Sequence, residues 1–374
     1  MRVALVGPYP EEPQRADGGV EAAFVNLVHG LASLGGLELD VVTFAHAAAS
    51  THDSGDGGVR IHRLASPRRF NNVTFYRSLR RALAGLLGEL RPDVVHAQDA
   101  LGYGYVCLKA ARQVPVVVSV HGIVRETRKA LTRPRDRLQV AIAGVAVERY
   151  CIRHAPYLLQ PTPYPQEYFG REIRGRIVDV GNAVADRFFA LEPAPEQGRV
   201  LFAGAISRGK RVLDLVEAAA RVPGASLRIA GPTTDAEYAR ELADRVQALR
   251  LRDRVELLGQ LPAERMTEEY RRAALLVLPS GQETSPMVIA EAMAARLPVV
   301  ATRVGGVRHL VDDGRTGFLV DVGDVDALAR RISELVGDES TRRSFAAAAR
   351  SGAERFTTRA VATRVRAVYE EAVR

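Results

Sequence analysis

The chain has 374 residues, 47% hydrophobic and 26% charged, with two cysteines and a formal net charge of +8; that composition suits an ordinary folded protein of about two domains. Its apolar runs, such as residues 115–120 and 273–279, fall short of the ~18 residues of a membrane span, and residues 1–7 read as a strand entering a turn, so neither an integral membrane protein nor a secretory leader is expected. Cys107 and Cys151 are too few for a disulfide framework or a four-cysteine zinc site, which points to a reducing, cytoplasmic location.

Short β-branched runs alternate with amphipathic stretches. Residues 3–6 read as a buried strand, 21–34 as a helix with Phe24, Leu27, Val28 and Leu31 on one face, and 39–44 as the next strand. Helical periodicity covers 72–90, and strands are expected at 93–96 and 116–120. Residues 191–198, bearing Pro and Glu, read as a linker. The pattern then restarts: strands at 199–202, 226–229, 255–258, 275–278 and 299–301 alternate with helices at 212–221, 237–249 and 266–272. Ala- and Arg-rich helices at 326–336 and 341–374 close the chain. Such alternation predicts an α/β protein with two doubly wound parallel sheets. Ligands of open α/β sheets bind beyond the carboxyl ends of the strands, so a cleft between two such domains is the expected place for chemistry.

The positive charge is uneven. Residues 1–57 carry a net −6, residues 58–176 a net +13, and residues 177–374 a net +1. The excess gathers at 60–81 and 125–137. Such a surface suits an anionic membrane or a phosphorylated substrate, or is simply a solvated Arg-rich face; without an RNA-binding aromatic motif or zinc finger nearby, no nucleic-acid partner is expected. Only three of the fifty-two basic residues are lysine: Lys109, Lys129 and Lys210.

Four segments carry candidate chemistry. Gly18-Gly19 opens the first helix, where paired glycines permit close backbone approach and a helix N-terminus offers N–H groups to an anion; a plain turn is the alternative. His121 ends the run Val116-Val-Val-Ser-Val120 and suits a substrate hydroxyl or a structural contact. His96 ends the preceding strand in the same way. Next, Gly204-Ala-Ile-Ser-Arg208-Gly-Lys210 follows the first strand of the second half. It suits a diphosphate, through close amides and two cations, or a basic surface turn; Arg211 after Lys210 breaks the P-loop pattern.

The fourth is Glu283-Thr284-Ser285-Pro286-Met287-Val-Ile-Ala-Glu291. A helix is expected to begin near Pro286, with Thr284 and Ser285 at its cap, which makes an anion site. Glu291 falls inside an apolar helical run, where a carboxylate needs partners such as ribose hydroxyls. Asp324-Val-Asp326 spells a metal-binding D-x-D, yet Asp324 reads as a helix cap.

Two carboxylates separated by seven residues and followed by Ala-Met-Ala resemble the signature of the retaining glycosyltransferases of family 4, which have the GT-B fold. Leu297-Pro-Val-Val-Ala-Thr-Arg-Val-Gly-Gly306, Gly314-Arg-Thr-Gly-Phe-Leu-Val320, Pro92-Asp-Val-Val-His-Ala97 and Gly181-Asn-Ala-Val184 are also similar to that family. The resemblance implies residues 1–190, completed by a helix at 358–374, as a Rossmann-like acceptor domain, and 197–357 as a Rossmann-like nucleotide-sugar domain. By position, Glu283 would contact donor sugar hydroxyls and Glu291 the ribose. Arg208 and Lys210 would bind the diphosphate. The backbone around Ser285, Pro286 and Met287 would hold phosphate and sugar, Gly19 would face the phosphate or sugar, His121 would contact sugar or acceptor, and the base would lie near Gly231 and Leu261. Two departures stand out. Ala205 replaces the arginine that the family carries after the residue matching Gly204, with Arg208 three positions on. Thr284-Ser285-Pro286 replaces the usual aromatic and glycine.

The implied reaction moves a sugar from a nucleoside diphosphate, UDP- or GDP-linked, to a hydroxyl on a small molecule, glycan or lipid. The anomeric configuration is kept and neither a metal nor another cofactor is needed. A nucleotide-sugar epimerase, a glycoside phosphorylase, a non-catalytic nucleotide-sugar binder and a membrane-associated enzyme with a phospholipid acceptor are the rival readings. The last would place residues 58–137 at the inner membrane face. Monomer and homodimer both stay open.

Overall fold

In the computed structural model, which describes residues 1–13, 16, 18–45, 50–53, 58–66, 76–126 and 144–374, the run Val3-Ala-Leu-Val6 is wholly buried. It forms β1 (Arg2–Val6), at the middle of a sheet that also holds β2 (Glu38–Ala45), β3 (Ser50–Asp53), β4 (Val59–Ala65), β5 (Val94–Ala97), β6 (Val116–Ser119), β7 (Tyr157–Gln160) and β8 (Arg176–Asp179). The order is β3-β4-β2-β1-β5-β6-β7-β8, parallel except for β3 against β4. Strands buried on both faces read as continuous Val and Leu runs because helices cover each side. On one side, Gly19–Leu34 packs with Thr358–Ala372, and Leu27, Leu31, Val361, Val365 and Tyr369 share one core. On the other, Leu79, Leu83 and Leu87 of Arg77–Leu90 join Val106 and Cys107 of Gly102–Ala110, and Cys151 and Ile152 of Val145–His154.

A second parallel sheet contains β9 (Arg199–Ala203), β10 (Ser226–Ala230), β11 (Val255–Gly259), β12 (Leu275–Leu278), β13 (Val299–Thr302) and β14 (Gly317–Val320), ordered β11-β10-β9-β12-β13-β14. Helices Val212–Ala220, Ala236–Ala248, Ala263–Arg272, Met287–Ala294, Val325–Gly337 and Glu339–Ala353 accompany it. Each sheet is the core of its own unit: Met1–Ala183 with Thr358–Arg374, and Val184–Thr357. Both sheets are of the doubly wound type expected from the sequence.

Three details differ from the expectations. Residues 191–198 are not a free linker. The amides of Ala194 and Glu196 donate to the carbonyls of Arg271 and Arg272 at 2.9 and 2.8 Å, and Glu196 pairs with Arg199 at 2.8 Å, so this stretch belongs to the second unit. The terminal helix expected at 341–374 is two helices, Glu339–Ala353 and Thr358–Ala372. Phe356 is buried and its carbonyl accepts the Val184 amide at 2.9 Å, which turns the chain out of the helix between them. The helix expected at 72–90 is seen as Arg77–Leu90, residues 72–75 lying outside the described ones.

The arginine excess is partly internal. Arg2 and Arg60 donate to the buried Asp40 at 2.7 and 3.0 Å, and His62 lies 2.9 Å from it. Burial alone would raise the Asp40 pKa, but these hydrogen bonds win and hold it well below the usual carboxylate range. Arg63 reaches the carbonyls of Tyr9 and Pro10. Arg125 grips Glu172 through both terminal nitrogens, at 2.6 and 3.1 Å. Arg60, Arg63 and Arg125 come from the two basic clusters, of which residues 67–75 and 127–137 lie outside the described ones. Among the described residues, no helix is long and apolar enough to cross a membrane.

Candidate active site

In the second sheet, β9 and β12 are neighbours, and the strand order runs outward from them in both directions. Loops leaving the carboxyl ends of such a pair diverge and open a crevice. The loop after β9 holds Gly204 to Arg211, and the loop after β12 holds Pro279 to Pro286. They are tied together: the Gly281 amide donates to the Gly209 carbonyl at 2.9 Å, and Lys210 Nζ lies 2.5 Å from Glu283 Oε1. The Glu283 carbonyl accepts the Gly306 amide at 3.0 Å, and the buried Thr302 hydroxyl donates to the Ser280 carbonyl at 2.5 Å. Thus Glu283 is held from both sides, with its side chain 10% exposed and that of Lys210 29% exposed.

Gly231 sits at the carboxyl end of β10 with φ 144°, and a Cβ there would stand 2.0 Å from the Gly204 carbonyl oxygen. Only glycine fits so close an approach. It brings the loop after β10 against the loop after β9, where the Ile206 amide donates to the Pro232 carbonyl at 2.8 Å. Leu261 follows β11 and is half-buried, one strand farther out.

Arg208 takes a different direction from Lys210. Its guanidinium donates to Glu241 at 2.9 Å and lies 3.6 Å from Asp235, over the ring of Tyr238. These partners belong to the helix Ala236–Ala248 and its cap, so Arg208 and Lys210, two positions apart, answer different carboxylates. Arg211, which the sequence suggested only as a break in the P-loop pattern, adopts φ 52°. It pairs with Asp214 at 2.7 Å, and its side chain passes close to Gly281 and Gly323. A left-handed conformation in a bulky residue is a local signal of strain at this loop, invisible in residue type alone.

The helix Met287–Ala294 begins one residue later than expected. Pro286 is its N-cap, with φ −68° and ψ 117°, and no side chain caps it. Thr284 and Ser285 precede the cap instead of forming it; a proline with extended ψ cannot be the first helical residue. Pro286 and Met287 are buried, Thr284 and Ser285 half-buried. One turn into the helix, Glu291 Oε2 accepts a hydrogen bond from the Tyr270 hydroxyl at 2.9 Å. Burial raises the Glu291 pKa, against the pull of this bond and of Arg187. Tyr270 carried no signal in the sequence beyond its place in the helix 266–272. Asp324 does cap a helix, accepting the Ala327 amide at 2.8 Å, and Asp326 pairs with Arg221.

In the first unit, Gly18 is the N-cap of Gly19–Leu34 with φ 101°, a conformation that L side chains avoid. Among the described residues, His121 lines a small cavity of about 20 Å³ with Gln98, Ser119 and Asn182. That volume suffices for about one water molecule. Its Nε2 lies 3.3 Å from Gln98 Oε1. Burial lowers its pKa to about 4, with Asn182 opposing, so the ring is neutral at pH 7. The other strand-end histidine is not a candidate for substrate contact. His96 is wholly buried, with Nδ1 2.6 Å from the Tyr369 hydroxyl and Nε2 2.8 Å from Ser119 Oγ. It pins the helix Thr358–Ala372 to the sheet, and burial lowers its pKa to about 3.

Comparison with known proteins accords with the two-sheet fold. Residues 184–352 match the family model described as glycosyl transferases group 1, and residues 18–182 match the glycosyl transferase 4-like domain. An exopolysaccharide phosphotransferase of Streptomyces coelicolor is 40% identical over 153 residues, 40% of this chain but only 16% of that protein. An uncharacterized glycosyltransferase of Methanocaldococcus jannaschii is 25% identical over 356 residues, 95% of each chain. The crystal structure of HepE from Anabaena in complex with UDP and glucose superposes with a TM-score of 0.76 at 20% identity, covering 98% of this chain and 99% of that one. At that identity the likeness is one of fold.

Proposed function

The chain belongs to the group 1 glycosyltransferases that carry a 4-like domain, and on that footing we propose that it moves a sugar from a nucleoside diphosphate to a hydroxyl acceptor, with retention of configuration and without a metal ion. The observation that carries this reading is the pairing of Lys210 with Glu283 at the carboxyl ends of β9 and β12. A cation and a carboxylate on adjoining loops can serve the two halves of one donor, its diphosphate and its sugar hydroxyls. Arg208 would add to the diphosphate site. The amides at Ser285, Pro286 and Met287 would serve phosphate and sugar, Glu291 the ribose, and Gly231 and Leu261 the base. HepE's complex with UDP and glucose supports testing uridine-linked donors first.

In the reaction, the bond from the anomeric carbon to the diphosphate oxygen breaks as the acceptor oxygen bonds to the same face. The acceptor's proton passes to the leaving phosphate. The protein positions the partners and stabilises the charge that grows on the diphosphate, a task for Lys210 and Arg208. The first unit takes the acceptor, with neutral His121 as its candidate for a hydroxyl partner, and Gly18 and Gly19 offering a helix start to an anion. Arg77, Arg81, Arg91 and Arg112, all exposed, would favour an acidic or phosphorylated acceptor there.

A donor screen across UDP-, GDP-, ADP- and dTDP-sugars, in EDTA, tests the reading. Release of nucleoside diphosphate from one donor is expected, with a product whose anomeric coupling by NMR matches that of the donor. Inverted product, or activity that appears only on adding a divalent cation, overturns the corresponding part. Product formed from donor alone as an isomerised sugar nucleotide would mark an epimerase.

A further inference from the structure

Tyr270 is wholly buried in the helix Ala263–Arg272, its ring edge-on to Phe188 at 5.0 Å between centroids. For packing alone, phenylalanine would serve. The hydroxyl has a specific use: it donates to Glu291 Oε2 at 2.9 Å, and the other near acceptor among the described residues, the Val288 carbonyl, is 3.4 Å away. A carboxylate half-buried in an apolar helix is costly unless its oxygens are bonded. The tyrosine bonds one oxygen and fixes the rotation of the group. No bond to Oε1 is seen among the described residues, and two hydroxyls on neighbouring carbons need an acceptor held in one orientation. We infer that Tyr270 is a positioning residue that locks the Glu291 carboxylate for the 2′- and 3′-hydroxyls of the donor. This rests on the assignment of Glu291 to the ribose.

The physical expectation is a preference for the ribose form. A hydrogen bond to a charged partner is worth enough to change affinity by about tenfold or more when the donor hydroxyl is deleted. Loss of the Tyr270 hydroxyl frees the carboxylate to rotate and makes it easier to protonate, because the bond it removes favours the anion.

The test measures binding of UDP against 2′-deoxy-UDP, and of GDP against 2′-deoxy-GDP, by calorimetry at several pH values. The proteins are the wild type, Tyr270→Phe, Glu291→Ala and the double variant. Wild type is expected to favour the ribose form about tenfold, and Glu291→Ala to lose that preference. Tyr270→Phe should lower it to less than about threefold and make it fade at a higher pH than in the wild type. The double variant, which leaves no unpaired buried carboxylate, should bind as Glu291→Ala alone does. An unchanged preference in Glu291→Ala, or none in the wild type, overturns the ribose assignment and this inference with it. A preference lost in Glu291→Ala but intact in Tyr270→Phe leaves the ribose assignment standing and overturns the positioning role. Should Tyr270→Phe fail to fold, the double variant decides: a further tenfold drop in UDP affinity below Glu291→Ala would show Tyr270 acting independently.

Discussion

Lys210 Nζ and Glu283 Oε1, seventy-three positions apart, meet at 2.5 Å. The pair is partly open to water, so it adds under about 1 kcal/mol to stability. Its value is positional: it sets two opposite charges where the strand order of the second sheet diverges.

Lys210→Ala and Glu283→Ala should each lower sugar transfer by about 100-fold or more while shifting the melting midpoint by only a few degrees. Initial rates beside melting curves check this. Full activity in both would remove the loops after β9 and β12 from the active site.

Arg208 is held by Glu241 and Asp235. To serve a diphosphate it must leave them or share its nitrogens. Arg208→Ala should raise the donor KM about tenfold, the scale of one charge-assisted hydrogen bond. Glu241→Ala should lower that KM modestly by freeing the guanidinium. A KM unmoved by both would make Arg208 a structural cation of the helix Ala236–Ala248.

Gly231→Ala places a methyl 2.0 Å from the Gly204 carbonyl and forces φ 144° on a residue that avoids it. The cost should be about 3 kcal/mol or more, with loss of nucleotide binding even where the fold survives. Denaturant unfolding and calorimetry with UDP read the two effects separately.

Two buried groups oppose each other in the pH dependence of stability. Burial raises the Glu148 pKa to about 7, with the Val124 amide and Arg125 opposing. A raised carboxylate pKa means stability fully present below about pH 4.5 and lost as pH climbs through 7. Burial lowers the His96 pKa to about 3, so its share is present above about pH 6.5 and lost as pH falls. Glu148→Gln should therefore gain on the wild type as pH rises from 5 to 7, by up to about 1.4 kcal/mol per pH unit. His96→Gln should gain as pH falls over the same range. Denaturant midpoints at pH 5, 6 and 7 decide; curves parallel to the wild type would refute the burial argument.

Five of the six strands of the second sheet were readable as short apolar runs set between amphipathic stretches; β14 was not singled out, because Gly317 opens it and only four residues carry it. Strands β7 and β8 were not read, since Tyr157-Leu-Leu-Gln and Arg176-Ile-Val-Asp are too brief and too polar at their ends to stand out. The helix Met287–Ala294 was legible around Glu291 because a carboxylate in an apolar run is conspicuous and a proline stands just before it. The true cap, Pro286, was missed because Thr and Ser are the stronger capping residues by type. Tyr270 and Arg211 escaped notice for a different reason: one acts through a partner twenty-one positions away and the other through a backbone angle, and neither leaves a mark in local pattern. His96 and His121 looked alike as strand-end histidines; complete burial and the Tyr369 hydroxyl, supplied from 273 positions downstream, set His96 apart.

That contact between His96 and Tyr369 has a consequence for biosynthesis. The stretch Val184–Thr357 is continuous and has its whole core as soon as it leaves the ribosome, whereas the first 183 residues lack the apolar face of Thr358–Ala372 until translation has passed the other unit. The later-made half of the chain can thus mature first, and the nascent amino-terminal sheet must wait with Leu27, Leu31 and the His96 ring uncovered, which makes it the portion most in need of chaperone protection.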